Sequence, residues 1–340
     1  MKRGAIEIQF NWIFVLVAGA LILALAVGFV IRWKNVSELK DAEQTISAIQ
    51  TYVISSSTIS GKEINISLND FIIHNYATEI NIKGINQKLF MFFSPTEIKG
   101  SEMFIWSKAW SAPFLISNFA YSTTPQTRYF FVFDPLDNQS LNLMEMVNDS
   151  FPDNAYIEYI NVIDFSSVDS RKEFPTVIAF FEVPMISDFT IKGNVKGVEI
   201  SFDDNNFSGE LKFFDYESRD TPQSSGFLGD EMIIGAVVSG DLEIYEEVMK
   251  DAFERMNVMC RILISRVEQI KANSLIASNS DSVLRYDLAL SALRGIQSDV
   301  NDISVTPSLF LSRKTHLIQV IEDLKFQNKI MNIEKGPTIY

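Results

Sequence analysis

Asp134 and Asp164 are the residues on which chemistry could be built. Asp134 closes the run YFFVFD and Asp164 closes INVID; in a parallel sheet both stand at the carboxyl edge, where ligands of such folds bind. Two carboxylates there could share a divalent metal ion through oxygen ligands. Asp164-Phe165-Ser166-Ser167 falls one position short of the Asp-x-Ser-x-Ser pattern of cation-dependent adhesion domains, so one serine ligand is missing. A local reading competes: aspartate before proline or serine at a strand end closes a turn on its own backbone.

Other chemistry-bearing residues are sparse. The two histidines, His74 and His316, have no second His, Cys or paired acid at ligand spacing, and HExxH and CxxC patterns are absent, which argues against zinc. No G-x-S-x-G elbow, phosphate-binding loop or dinucleotide turn occurs, so the motif enzymes are set aside. Asp203, Asp204 and Glu210 fail the calcium-loop pattern and read as a hairpin tip. The sequence therefore implies no cofactor and no recognisable catalytic site. A metal-dependent enzyme or adhesion domain using Asp134 and Asp164 stands as an alternative.

The elements that would position these residues hang from one stretch. Residues 12–31, WIFVLVAGALILALAVGFVI, are twenty residues without a charge; at ~1.5 Å each they span about 30 Å, the hydrocarbon thickness of a bilayer. Trp12 and Trp33 sit where an aromatic belt belongs. Ala20, Ala24 and Gly28 recur every fourth residue, a stripe that lets a second helix approach and makes self-association possible, although small residues are ordinary fillers in such helices. The chain divides into a short basic tail (1–11), a transmembrane helix (12–33), a helical stalk (34–60), an α/β body with a mixed sheet (61–238) and a helical carboxyl-terminal region (239–340). The stalk rests on Leu39, Ala42, Ile46, Ile49 and Val53 at 3-4 spacing; two heptads fall short of a coiled coil, so that face is predicted to pack on the protein's own domain.

In the body, LFMFF (89–93), MFIW (103–106), YFFVF (129–133), YIEYINVI (156–163) and TVIAFFEV (176–183) read as strands. Short helices are predicted at 113–121 and 141–147, a hairpin across 198–214, a surface loop at 217–229 and a last buried strand at 232–238. Ser239-Gly240-Asp241 caps a long helix, a second covers about 281–300, and Thr306-Pro307 starts a third, with the threonine hydroxyl as its cap. The phenylalanines, 27 in all, fall mostly within strand-like runs and read as core.

Charge sorts the partners. Beyond residue 34 there are 25 basic and 42 acidic residues, a net of −17, which argues against nucleic acid and against broad adhesion to anionic membrane surfaces. Integral membrane insertion and protein partners remain. Basic residues flank both ends of the membrane segment, Lys2 and Arg3 against Arg32, Lys34 and Lys40, so they do not orient it. Sequons at Asn35, Asn65, Asn138, Asn148 and Asn206 suit glycosylation outside the cytoplasm. Together with the acidity, they place the bulk of this single-pass protein on the outer side of the cell membrane. Cys260 is a lone cysteine and says nothing of redox compartment.

Three readings fit the amino terminus. A cleaved signal would use Ala24-Leu25-Ala26, although the apolar run continues through Ile31; a plain signal anchor needs nothing more. The third rests on Lys2-Arg3-Gly4 followed by Ala5, which resembles the leader junction of archaeal type IV pilin-like proteins. That resemblance implies cleavage between Gly4 and Ala5. Gln9 stands where such proteins commonly carry an acid, and the acid here is Glu7. Further segments resemble an uncharacterised group of membrane-anchored archaeal proteins with pilin-like amino termini. They are Phe93-Ser94-Pro95 with Ile98-Lys99-Gly100, Trp106-Ser107 with Trp110 and Pro113, Asn118-Phe119 with Tyr121 and Pro125, and Pro337-Thr338-Ile339-Tyr340. The resemblance brings no activity. It implies cysteines near the start of the long helix and before the terminal proline, where this chain has Glu247 and Gly336. The sequence thus reads as an envelope or surface interaction protein, with a pilin-like filament or secretion-complex subunit as a further alternative.

Overall fold

The computed structural model describes residues 3–56, 61, 63–68, 71–77, 79–167, 174–186, 194–203, 207–218, 221–276, 280–333 and 337–340; side chains are described from residue 12 on, except those of 164, 166–167, 274–276 and 280–282. The chain forms two units, Met1–Ser47 and Ala48–Tyr340.

The first unit is helix α1 (Arg3–Ser56), whose last turns belong to the second. Among the described residues α1 is the one helix long and apolar enough to cross a membrane, and nothing in its apolar window is buried. A helix suits that setting because it satisfies every backbone N–H and C=O within itself.

Among the described residues of the second unit, fourteen strands make three sheets. The small strands β1 (Ile64–Ser67), β2 (Ile73–Tyr76), β3 (Glu79–Ile82), β4 (Ile85–Lys88), β5 (Phe92–Phe93) and β6 (Glu97–Ile98) come first. Then come the long hairpin β7 (Glu102–Ser111) and β8 (Leu115–Thr123), and the strands β9 (Arg128–Phe133), β10 (Tyr156–Asn161), β11 (Thr176–Phe181), β12 (Val195–Phe202), β13 (Ser208–Asp215) and β14 (Gln223–Leu228). One sheet has the order β1-β7-β8-β5, a second β4-β3-β2-β6, and the third β10-β9-β11-β12-β13-β14. In the third, β10, β9, β11 and β12 are parallel, whereas β13 and β14 return antiparallel. The body is therefore α/β with a mixed sheet.

Helix α2 (Asn138–Asn148) connects β9 to β10, and helix α3 (Asp230–Ser239) lies at the centre. It touches β5, β7 and β8 of one sheet and β11, β12 and β14 of another. A helix held between two sheets must be apolar on every side, and every residue from Met232 to Ser239 is buried. The carboxyl-terminal region is α4 (Leu242–Ile276), α5 (Ser280–Val305) and α6 (Phe310–Ile333), with α4 packed on α5 and α5 on α6. Their shared core includes Cys260, Val267, Leu293, Ile296, Leu317 and Ile321.

Several predicted elements need correction. Residues 232–238 are helix, not strand, because a short continuous apolar run fits either a buried strand or a buried helix. The discriminating signals lie at its ends: Asp230 and Glu231 in the first turn and Gly240, left-handed at φ 62, as C-cap. The predicted helix over 113–121 is strand β8, paired antiparallel with β7 from Phe104↔Thr123 to Ser111↔Leu115; Pro113 marks the hairpin turn, not a helix start. Within the predicted loop at 217–229, residues Gln223–Leu228 form β14 against β13. Gly226 in that strand lies where a Cβ would meet the Phe310 ring at 2.2 Å, so its small size serves packing. Thr306 makes no side-chain cap; Pro307 starts a 3-10 turn, Pro307–Leu309, ahead of α6. The helix over 141–147, the hairpin and the long capped helix are observed as predicted. Helix α1 runs on past the apolar stretch to Ser56, with Ile49 and Val53 buried in the second unit, whereas Leu39 of the predicted packing face is exposed; residues 57–60 of the predicted stalk lie outside the described residues.

Candidate functional site

The connections of the six-stranded sheet create one natural site. From β9 the chain passes through α2 to β10 on one side, whereas from β11 it proceeds to β12 on the other. The carboxyl ends of β9 and β11 thus flank a topological switch point, the usual place for a ligand in an open α/β sheet.

Asp134 stands there, at the end of β9. Its Oδ1 accepts the Leu136 N–H at 2.9 Å, and its own N–H donates to Ser140 Oγ at 3.0 Å. Asp137 accepts the Gln139 N–H at 3.0 Å and caps α2. Ser140 Oγ donates to the Phe181 carbonyl at 2.5 Å, tying the first turn of α2 to β11. Asp164 falls in a 3-10 turn, Val162–Ser167, directly after β10. Parallel pairing of β10 with β9 sets that turn at the same edge; the Asp164 side chain lies outside the described residues. No group of three or more His, Cys, Asp or Glu able to hold a metal occurs among the described residues.

Sequence reasoning missed Glu182, on the other side of the switch point. Its backbone is left-handed, φ 56, a conformation disfavoured for a residue with a Cβ. Its N–H donates to the Ile200 carbonyl at 2.9 Å, and its Oε1 accepts from the Phe202 N–H at 2.6 Å and Gln139 Nε2 at 3.3 Å. Burial raises its carboxyl above the ordinary range, and the Asp137 and Glu199 charges add to the effect. The arrangement can hold or release a proton at a strand end, but its hydrogen bonds also knit β11, β12 and α2 together. Glycine or asparagine would have announced the turn; glutamate did not.

A second constellation was also invisible in the sequence. Asp299 of α5 is buried, and its Oδ2 lies 2.5 Å from Nδ1 of His316 on α6, whose side chain is largely exposed; Arg313 stands 4.0 Å from the other oxygen. Seventeen residues separate the pair, and only the antiparallel helix packing joins them. His74, in β2, stacks on Tyr76. Elsewhere a cleft of about 430 Å³ is lined by Val53, Phe90, Met91, Asn118, Asp251 and Arg255; burial raises the Asp251 carboxyl. The Cys260 thiol, buried in the helical core, is pushed up to about 12 and is inert as a nucleophile.

The remaining predicted positions are dispersed. Gly4 and Ala5 lie in the first turn of α1, their side chains outside the described residues. Ala20, Ala24 and Gly28 are exposed along α1, and a Cβ at Gly28 would meet nothing within 4 Å. Asn35 and Asn65 are exposed, Asn65 Nδ2 donating to Glu102 at 2.9 Å. Asn138 opens α2; Asn148 ends it and accepts the Tyr159 hydroxyl at 2.6 Å. Asn206, Asp204 and Gly336 lie outside the described residues, and Glu247, in α4, pairs with Lys250 at 3.7 Å. Compared with protein families, curated proteins and solved structures, the chain matches none of them.

Proposed function

We propose that this protein is a single-pass, membrane-anchored interaction component of the cell envelope that presents its second unit, Ala48–Tyr340, outside the cytoplasm. The observation that carries the reading is the uncharged run of α1, whose side chains are unburied by the rest of the chain. Left in water, such a surface is strongly unfavourable; in lipid it is matched on every side. The net charge of −17 beyond residue 34 and the exposed sequon at Asn65 support the outward placement. At the sheet edge Asp134 and Asp137 each accept a local backbone N–H, the bonding of a turn and of a helix cap. A second reading, a pilin-like filament or secretion-complex subunit, is favoured by Lys2-Arg3-Gly4-Ala5 ahead of the helix; it requires processing after Gly4 and assembly through the Ala20, Ala24 and Gly28 face.

The test is fractionation of cells carrying the full chain. The wild type stays with membranes through an alkaline carbonate wash and leaves only with detergent. Leu21→Arg with Leu25→Arg, at about 2.5–3.5 kcal/mol per charge at a helix centre, shifts most of the protein out of the carbonate-resistant fraction. Release of the wild type by carbonate alone would overturn the anchor.

A further inference from the structure

Strand β10 is an outer strand of the six-stranded sheet, with β9 on one side and no partner among the described residues on the other. Over its six residues, YIEYIN, there is no proline, lysine or bulge; the one charge on it, Glu158, guards the edge against acidic strands and leaves it open to a basic one. Alternate residues of a strand turn their N–H and C=O groups outward, so β10 offers an open hydrogen-bonding ladder. Both faces beside the ladder carry half-exposed aromatic rings. Tyr159 is 50 % exposed on the face covered by α2, and Tyr156 is 43 % exposed on the other. Just beyond the carboxyl end of the pair, Leu136 and Ile163 are 89 % and 80 % exposed, unusually bare for large aliphatic side chains.

Charge selects the occupant. Glu158, at the middle of the strand, keeps half of its side chain exposed although Arg128 lies 3.7 Å away. Asp149, after α2, is exposed and close enough to add to the effect of burial in raising the Tyr159 phenol. Arg128 itself is withdrawn, 11 % exposed and set against the Tyr156 and Phe130 rings. A second copy paired about a two-fold axis would set the two Glu158 carboxylates opposite each other, or diagonally apart on the same face if the axis falls at Tyr159, and like charges across a strand pair are destabilising. An extended segment rich in lysine or arginine meets the acids with opposite charge, stacks its cations on the tyrosines and seats an apolar residue between Leu136 and Ile163. We propose that β10 is a docking edge for a basic, extended peptide segment of a partner protein, which adds to the sheet as a seventh strand. The inference rests on the reading of this protein as an interaction component and gives its partner a chemistry.

The test uses the full chain in non-ionic detergent and a labelled synthetic peptide alternating lysine with valine and threonine, followed by fluorescence anisotropy. Saturable binding is expected. It weakens at least about tenfold when one alternate set of peptide amides is N-methylated, which blocks the ladder and leaves the charge alone, and is lost when glutamate replaces lysine. Glu158→Gln with Asp149→Asn weakens the lysine peptide by about tenfold; far-UV circular dichroism checks that this variant is folded, and the N-methyl comparison decides the matter on the wild type if it is not. Equal binding of unmodified peptide and peptides N-methylated on either alternate set, or of the glutamate peptide, overturns the proposal. So does sedimentation showing a dimer of the chain alone that the double variant tightens. Vesicle flotation of the same preparation reads the anchor separately, so peptide binding can fail while the membrane reading stands.

Discussion

Glu182 holds a left-handed backbone with a side chain attached, φ 56, at a cost of roughly 1–2 kcal/mol. The bonds that its carboxylate receives from Phe202 and Gln139 keep it there. That carboxylate is nevertheless raised by burial and by its acidic neighbours Asp137 and Glu199, so the folded chain holds the proton more tightly than the unfolded chain does. The stability this group contributes is therefore fully present below the ordinary carboxylate range, about pH 4.3, and is lost as pH rises through the raised folded value. Glu182→Gln cannot ionise and keeps an oxygen for the Phe202 N–H. Denaturation of the detergent-solubilised protein should show the variant the more stable of the two at neutral pH, with the gap closing on acidification. An unchanged gap from pH 7 to pH 4 would mean that the carboxyl titrates normally. Asp134 contrasts with this. Its proline neighbour announced a turn, and a turn is what its carboxylate closes. What the sequence withholds at this scale is any bond set by a fold-level neighbour, such as Glu182 with Phe202 or Asp299 with His316.

Helix α3 shows what decides between strand and helix when both faces are buried. Its apolar run fits either, and its place between two sheets makes every side a core side. Close approach is permitted by Gly235, where a Cβ would stand 2.5 Å from the Phe93 ring; that ring is itself packed against Phe119, Tyr121 and Tyr245 and has nowhere to retreat. Gly235→Val should cost about 1–3 kcal/mol through overpacking, read as a lowered denaturation midpoint. Gly19→Ala, whose Cβ meets nothing within 4 Å, should leave that midpoint unmoved. If Gly235→Val matches the wild type, α3 is not clamped between the sheets. Helix α1, by the length of its uncharged run, helix α4, by its strong periodicity, and strands rich in β-branched and aromatic residues were legible from residue order alone. The hairpin β7–β8 and the helix α3 were not, because Pro113 suits a helix start and a turn alike and an unbroken apolar run has no period. The switch point itself needed the strand order, which no local pattern encodes.

For the molecule as a whole, the anchor proposed for α1 makes orientation the property that decides where a unit this acidic works. Lys2 and Arg3 oppose Arg32, Lys34 and Lys40 across the apolar run, and large domains cross largely regardless of loop charge, so orientation has to be read from what the second unit acquires. The sequons of the chain differ in access. Asn65 lies exposed on strand β1, its side chain bonded to the exposed Glu102, and a glycan there costs the fold little. Asn35 stands two residues past Trp33, about 3 Å of helix rise, where headgroups crowd an attached sugar. Outward placement therefore predicts glycan mass on the Asn65 peptide and a bare Asn35 peptide in protein taken from native membranes. A pilin-like leader adds a mature amino terminus at Ala5. Glycan on Asn65 with an intact Met1 would keep the outward anchor and remove the pilin-like subunit. Bare sequons throughout, together with protection of Ala48–Tyr340 from protease added outside intact cells, would turn the molecule around. The basic partner of β10 would then have to be sought in the cytoplasm.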